Sequence, residues 1–185
     1  MTVRTVAVLV GSLHADSINR KLAQALAKLA APEMEFRFVD YGDLPLYRQD
    51  IETSSPEADR MRAQVKAADA VLFISPEYNR SIPGALKNAI DWGSRPYGRS
   101  VWAGKPVAIG GTSPSAVGTA AMQQHLRAVL THMDMALMSQ PELFLQFKEG
   151  LIDAEGNVTN EGTRAFLASY LKAFATWIDR LAPRA

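Results

Sequence analysis

The chain has 185 residues, of which 48% are hydrophobic, so we expect residues 1–185 to form a single domain with a substantial core. The net charge of +1 argues against nucleic acid or a membrane surface as partner, and the absence of cysteine excludes disulfides, thiolate metal sites and cysteine nucleophiles. The chain has no signal-peptide pattern and no run of roughly 20 apolar residues that could span a membrane, so we expect a cytoplasmic protein.

Hydrophobic periodicity predicts an alternation of strands and helices along the chain. Short apolar or alternating runs predict strands at 6–10, 34–39, 70–75 and 106–110, and a fifth strand within 136–147. Helical patterns lie at 17–30, 56–68, 85–92, 120–133 and 159–181. Such an alternation is typical of a parallel sheet with helices on both faces. In these sheets ligands bind at the carboxyl ends of the strands.

The segment GSLHADSINR, residues 11–20, follows the first predicted strand and leads into a helix. A helix N-terminus attracts phosphate through its free N–H groups and its partial positive charge. Ser12, Ser17 and Asn19 supply further donors with little bulk, and His14 adds a donor or, when protonated, a charge. The alternative is an ordinary loop in which Ser17 only caps the helix. The glycine patterns of ATP-binding and dinucleotide-binding loops are absent.

Three segments resemble motifs of the NADPH-dependent FMN reductase family, in particular its bacterial quinone and chromate reductases. They are GSLHADSINR, PEYNRSIPGALKNAIDW at 76–92, and SRPYG at 94–98, and the resemblance extends over nearly the whole chain. It implies an α/β, flavodoxin-like fold: a doubly wound five-stranded parallel sheet of strand order 2-1-3-4-5 with helices on both faces. It also implies non-covalently bound FMN.

The resemblance implies FMN contacts from the loops after the first, third and fourth strands. The expected residues are Ser12, His14, Ser17, Ile18, Asn19, Pro76, Glu77, Tyr78, Asn79 and Ser113. The first loop would hold the phosphate, and the third would pass along the ring edge with backbone donors and the Tyr78 ring. For Glu77 the alternative is a helix cap or a surface charge.

Two loops depart from the family pattern. His14 stands where many relatives carry arginine, and the loop at 110–118 differs enough that Thr112, Ser113 and Ser115 are weaker candidates. For that loop the alternative is a turn and a helix cap.

Two arginines and two histidines are further candidates. Arg95 and Arg99 flank a Pro-Tyr-Gly turn that we expect beside the flavin, where they would attract an anionic substrate or the NADPH phosphate. The alternative for both is a surface or subunit contact. His125 and His132 have no carboxylate or cysteine cluster near them in the sequence, so we expect no metal site.

The sequence therefore predicts an FMN-dependent oxidoreductase with NADPH or NADH as electron donor. Quinones are the expected acceptors, and chromate, nitro and azo compounds are further ones, by ping-pong hydride transfer through flavin N5. The flavin carries the chemistry, so no catalytic side chain is assigned. The resemblance also implies a homodimer or homotetramer. The alternatives are a flavodoxin-like electron carrier, disfavoured by the near-neutral charge, and a module of this fold without flavin.

Overall fold

The structure is a computed structural model that describes residues 3–182. The strands are β1 (Arg4–Val10), β2 (Met34–Phe38), β3 (Ala70–Ile74), β4 (Pro106–Ser113), β5 (Ala136–Leu137) and β6 (Leu143–Gln146). The helices are α1 (Ile18–Ala30), α2 (Pro56–Lys66), α3 (Gly84–Gly93), α4 (Ala120–His132) and α5 (Glu161–Leu181). A short 3-10 helix, Gln49–Ile51, lies in a segment that the sequence analysis left as loop.

The strands form one parallel sheet of order β2-β1-β3-β4-β5, which confirms the predicted order 2-1-3-4-5. The fifth position differs from the prediction because two short strands share it. Val107 aligns with Leu137 and Gly110 with Leu143, so five residues, 138–142, stand opposite two residues of β4. The excess residues leave the sheet, and pairing with β4 resumes at β6.

Both faces of the sheet are buried, which explains the continuous apolar runs of β1 and β3. In β1, Val6, Val8 and Val10 pack under α1 and α5 on one face. Ala7 and Leu9 belong to a second core, which contains residues of α2, α3 and α4 on the other face. The sheet therefore separates two hydrophobic layers. Within residues 3–182, no helix combines the length and hydrophobicity needed to cross a membrane.

Strand β4 is longer than the predicted 106–110 and also includes Gly111, Thr112 and Ser113, which the sequence analysis placed in a loop. Thr112 and Ser113 align with Leu145 and Gln146 of β6, and this pairing extends the strand. A Cβ atom on Gly111 would lie 2.2 Å from the Ser75 carbonyl oxygen and 2.4 Å from Thr119 Oγ1. Glycine is therefore present because two other loops approach the strand closely.

Candidate functional site

The loop between β1 and α1 presents a group of unpaired backbone donors. In the part of the chain that the structure describes, no acceptor bonds the N–H groups of Ser12, Leu13, Ala15, Ile18 and Asn19. Ile18 and Asn19 form the first turn of α1, where the helix has its partial positive charge. A cluster of free N–H groups at a helix N-terminus is a site for an anion such as phosphate.

Side chains of the same loop hold it in shape. Ser17 caps α1, because its Oγ accepts a hydrogen bond from Arg20 N at 3.3 Å. Ser12 Oγ accepts from His14 N at 3.3 Å, and His14 Nδ1 accepts from Asp16 N at 3.1 Å. The hydroxyl hydrogens of Ser12 and Ser17 remain available as donors. Capping by Ser17 and anion binding are therefore compatible, although the sequence analysis treated them as alternatives.

Asn19 has a different environment from the one expected of a phosphate donor. It is buried, and its Nδ2 donates to Thr112 O at 2.9 Å while its Oδ1 accepts from Thr112 N at 3.0 Å. The side chain therefore joins α1 to β4, with one amide hydrogen left over. Its backbone N–H is one of the five unpaired donors of the first loop, which we call the anion cradle: the N–H groups of Ser12, Leu13, Ala15, Ile18 and Asn19. Thr112 also donates its hydroxyl to Leu145 O at 2.8 Å, so it is a bonded strand residue and the prediction of a loop donor there was wrong.

The loop after β3 contains a tight hairpin turn. Tyr78 and Ser81 exchange two backbone hydrogen bonds of 3.1 and 3.0 Å. The central residues, Asn79 and Arg80, have φ values of 52° and 63°, which is the conformation of a type I′ turn. The turn projects from the carboxyl edge of the sheet with the Tyr78 side chain 50% exposed. An aromatic ring and the free N–H of Asn79 are thus presented to solvent beside the first loop.

Glu77 caps helix α4. Its Oε2 accepts from Met122 N at 3.0 Å and its Oε1 accepts from Arg80 Nη1 at 3.2 Å. The residue preceding α4, Thr119, makes no side-chain capping hydrogen bond, and the carboxylate of Glu77 caps the helix instead. Its side chain is only 13% exposed. The structure thus contains the helix-cap arrangement weighed for Glu77 in the sequence analysis, and the predicted flavin contact of this residue is left to its backbone N–H.

The loop after β4 begins at residue 114 and is built from serine hydrogen bonds. Ser113 Oγ donates to Ser115 O at 3.0 Å, and Ser115 Oγ accepts from Val117 N at 3.3 Å. Ser113 is partly exposed at the end of β4, on the same edge of the sheet as the first and third loops. Backbone bonds from Gly11 N to Ile74 O and from Ser75 N to Gly110 O align the three strand ends.

Arg95 and Arg99 lie elsewhere. They follow α3, which begins after the third loop at the carboxyl edge and runs back along the sheet. Arg99 lines a cavity of about 1130 Å³ together with Arg4 and Pro106, the first residues of β1 and β4. The two arginines are therefore at the amino edge of their own chain. Because α3 reverses the chain direction, the two arginines do not flank the carboxyl edge of their own chain, and their contact with a substrate or with the NADPH phosphate stays a prediction.

Two features near the site escaped the sequence analysis. Tyr41 is buried after β2 and donates its hydroxyl to Val10 O, and burial raises the pKa of this phenol. His125 of α4 has its Nδ1 2.9 Å from the hydroxyl of Ser81 in the hairpin, although the sequence analysis assigned no role to this histidine. A tyrosine directly after a strand is a usable signal for the first contact, whereas the second depends on where α4 packs. In residues 3–182, no group of acidic and histidine side chains is arranged to hold a metal ion.

The residues of this edge fit FMN in their donor chemistry. The first loop offers a cradle for a phosphate, the hairpin offers a ring and free N–H groups, and Ser113 adds a hydroxyl. These groups are small or hydrogen-bonding, and the carboxylate of Glu77 is directed into α4. This combination suits a phosphorylated ligand with a flat polar ring.

Comparisons with known proteins identify the family of the chain. The sequence model of the family described as NADPH-dependent FMN reductase matches residues 4–150. A 2-hydroxy-1,4-benzoquinone reductase from Burkholderia sp is 52% identical over 174 residues, which are 94% of this chain and 95% of the relative. A quinone reductase from Pseudomonas putida is 47% identical over 178 residues, 95% of each chain.

A solved structure is also similar over nearly its full length. The flavoenzyme NAD(P)H:(acceptor) oxidoreductase FerB from Paracoccus denitrificans superposes with a TM-score of 0.94 at 46% identity, covering 96% of this chain and 98% of that one. The family match spans the three loops of the site, and the relatives extend along almost the entire sequence. By sequence, fold and site, the chain belongs to the NADPH-dependent FMN reductase family.

Proposed function

We propose that this chain is an NAD(P)H:quinone oxidoreductase that uses FMN. The observation that carries the proposal is the group of unpaired N–H donors at the start of α1, beside an exposed aromatic hairpin. The names of the relatives, two of which are quinone reductases, support the choice of acceptor. Chromate, nitro and azo compounds are secondary acceptors in this proposal, because a reduced flavin is an unselective electron donor.

The residues of the carboxyl edge would hold the cofactor in a fixed orientation. The free N–H groups of the first loop and the hydroxyls of Ser12 and Ser17 would bind the FMN phosphate, with His14 at its exposed side. These N–H groups belong to Ser12, Leu13, Ala15, Ile18 and Asn19. The N–H groups of Glu77 and Asn79 would bond the polar edge of the ring, and Pro76 and Tyr78 would contact its face. FMN held by these residues would supply the redox chemistry that connects NAD(P)H with the acceptor in a ping-pong cycle.

The protein contributes position and electrostatics in this mechanism. The positive end of α1 stabilises the phosphate charge. The carboxylate of Glu77 is compensated by the N-terminus of α4 and by Arg80, so it adds little repulsion toward an electron-rich ring. No side chain of the site is assigned a proton transfer.

We also propose that the active form is a homodimer or homotetramer. Two large hydrophobic side chains near α3 are exposed: Tyr97 is 90% exposed just after it, and Leu46 is 79% exposed in the segment that Asn88 and Trp92 anchor. We expect both to contact a second copy of the chain. Arg95 and Arg99 reach a substrate only if a second copy presents them, because each chain places them at its own amino edge. A cytoplasmic location suits this function, since NAD(P)H is regenerated inside cells.

The visible spectrum of the purified protein under anaerobic conditions tests the proposal. FMN is added if the protein is colourless, then NADPH, then 1,4-benzoquinone. We expect a flavin spectrum that bleaches with NADPH and returns with the quinone. Bleaching without recovery would remove quinones as acceptors.

The second candidate, a flavodoxin-like electron carrier, predicts a yellow protein that NADPH leaves unchanged. A protein that binds no FMN would overturn both candidates and leave a module of this fold without flavin. The net charge of +1 favours the reductase over the carrier, because carriers of this fold dock on redox partners through strongly acidic surfaces.

A further inference from the structure

The hairpin of residues 78–81 is attached to the rest of the chain through helix α4. In the part of the chain that the structure describes, the segment from Glu77 to Ser81 makes two hydrogen bonds outside itself, and both lead to α4. Glu77 Oε2 accepts from Met122 N at 3.0 Å, just before the hairpin begins. Ser81 Oγ and His125 Nδ1 share a hydrogen bond of 2.9 Å, where the hairpin ends. One helix therefore holds the hairpin at both of its ends.

The two attachment points lie on the same side of α4, because Met122 and His125 are three positions apart in the helix. The His125 contact is the outer one, with an exposed imidazole and a partly exposed Ser81. Among the described residues, the other ring nitrogen of His125 has no hydrogen-bond partner. A hydroxyl and a neutral imidazole can each donate or accept, so the bond forms with either tautomer. The ring is thus committed to Ser81 alone.

The turn of the hairpin depends on this support. Asn79 and Arg80 have φ values of 52° and 63°, a left-handed conformation that residues other than glycine adopt at a cost. Two backbone hydrogen bonds between Tyr78 and Ser81 close the turn. A short hairpin of this kind is marginally stable by itself in water. Contacts with a neighbouring element are therefore needed to keep it in one conformation.

We propose that the hydrogen bond between Ser81 and His125 positions the hairpin for the FMN ring, which makes His125 a positioning residue. The inference rests on the proposed function, in which the ring lies against Tyr78 and the N–H of Asn79. A hairpin that is already ordered spares the ligand the free energy of ordering it. The anion cradle belongs to another loop, so the contribution of His125 concerns the ring of the cofactor and leaves the phosphate unaffected.

Trypsin cleavage of the full chain without added FMN tests the contact independently of the flavin. Arg80 has a side chain that is 73% exposed, so cleavage after it requires only local opening of the hairpin. Mass spectrometry identifies this cut by the fragments 1–80 and 81–185. We expect His125→Leu and Ser81→Ala to be cut there about fivefold faster than wild type, the scale of one neutral hydrogen bond. His132→Leu is the matched control, because it makes the same replacement at an exposed histidine in the last turn of α4.

Flavin affinity gives the second readout and separates the ring from the phosphate. FMN and riboflavin, which lacks the phosphate, are titrated into each variant by fluorescence quenching. His125→Leu and Ser81→Ala should bind both flavins about fivefold more weakly, so that the ratio of the two affinities keeps its wild-type value. Ser17→Ala should lower the preference for FMN over riboflavin, because it removes a hydroxyl donor from the phosphate side.

A conservative variant and a double variant distinguish positioning from a general loss of stability. His125→Asn places an amide group at the position of Nδ1, so it should restore the cleavage rate and both affinities to nearly wild-type values. The double variant Ser81→Ala/His125→Leu should lose no more affinity than either single variant, since the two side chains share one interaction. Ser81→Ala keeps the test decisive if the leucine variant folds poorly.

Three outcomes would overturn the inference. The first is cleavage after Arg80 at the wild-type rate in both His125→Leu and Ser81→Ala. The second is faster cleavage with unchanged flavin affinity, which would separate the hairpin contact from cofactor binding. The third is a loss of affinity in His125→Leu without one in Ser81→Ala, which would assign His125 a direct contact with the flavin. A wild-type protein that binds no flavin would instead contradict the proposed function.

Discussion

The amino and carboxyl edges of the sheet differ: the larger cavity lies at one edge and the free hydrogen-bond donors lie at the other. The amino edge has the cavity of about 1130 Å³, yet its polar groups are largely bonded to one another. Arg4 pairs with Asp179, Asp69 accepts from Thr5 N at 2.7 Å, and Lys105 donates to Ala68 O at 2.5 Å. The carboxyl edge has the smaller cleft of about 340 Å³ but exposes a row of free N–H groups. We therefore base the proposed site on unpaired donors rather than on cavity volume.

The direction of the helices explains this difference. In a parallel sheet with crossover helices, α1, α3 and α4 begin at the carboxyl edge, so their unpaired N–H groups and positive ends meet there. Helices α2 and α5 end at the amino edge, beside Lys66 and Asp179. The cations of that edge, including Lys66 and Lys105, complement helix carbonyls and so serve the fold itself.

The largest expected effect comes from adding a side chain at Gly111, where Ser75 and Thr119 approach the backbone of β4. Gly111→Ala places a Cβ against the backbone oxygen of Ser75 and the hydroxyl of Thr119, so the third loop must move. We expect a loss of about 3 kcal/mol in the free energy of unfolding, together with weaker FMN binding. Urea unfolding and FMN titration of the apoprotein measure the two effects.

Gly104→Ala is the control at the amino edge. Its φ of 73° strains any other residue, but no atom lies within 4 Å of the new Cβ. It should cost about 1 kcal/mol and leave FMN affinity at the wild-type value. A loss of FMN in Gly104→Ala would mean that the amino edge takes part in cofactor binding.

An effect of intermediate size is expected at Ser17, where a comparison with Ser55 distinguishes helix capping from anion binding. Ser17 and Ser55 cap α1 and α2 through the same hydrogen bond of 3.3 Å to a backbone N–H. Replacing either by alanine should cost about 1 kcal/mol of stability. Only Ser17→Ala should also weaken FMN, by roughly tenfold, because it removes a hydroxyl donor from the cradle. Equal FMN affinities in the two variants, measured by fluorescence quenching, would restrict Ser17 to capping.

The smallest effect lies at the amino edge and depends on pH. The hydrogen bond from Arg4 holds the pKa of Asp179 below its ordinary value. The ion pair therefore adds stability above the unfolded-state pKa near 4, and this contribution is lost as pH falls through the folded-state pKa. Asp179→Asn should cost less than about 1 kcal/mol at pH 7, because the pair is exposed. The difference from wild type should shrink at pH 3, and FMN affinity should stay constant. A difference in unfolding free energy that stays constant between the two pH values would contradict the assignment.

The sequence was sufficient for the order of the main elements along the chain. In residues 3–182, periodicity located the five α-helices but not the 3-10 helix at Gln49–Ile51, and the loops after the first, third and fourth strands meet at one edge of the sheet. The split of the fifth strand was out of reach, because an insertion of residues 138–142 against β4 changes register without changing hydrophobic pattern. The strand character of Gly111, Thr112 and Ser113 was also missed, because glycine has low strand propensity and these residues pair only with β6, which lies beside them.

The position of Arg95 and Arg99 was predictable in principle. A helix of ten residues is about 15 Å long, enough to carry the chain from one edge of the sheet to the other, so residues after α3 belong to the amino edge. The cap provided by Glu77 was harder to predict, because the packing of α4 determines that the N–H of Met122 lies within hydrogen-bond distance of the Glu77 carboxylate. Contacts between distant segments are settled by tertiary structure, and residue type alone leaves several partners open.

The double hydrogen bond between Asn19 and Thr112 joins residues 93 positions apart in the sequence. A chain cut within the exposed turn at 97–99 would place the anion cradle on one fragment and β4 on the other. The two pieces would meet through the pairing of β3 with β4 and through this side-chain link. Quenching of flavin fluorescence would then report the reassembly of a split protein, so the same contact that orders the site also makes the fold usable as a two-part sensor.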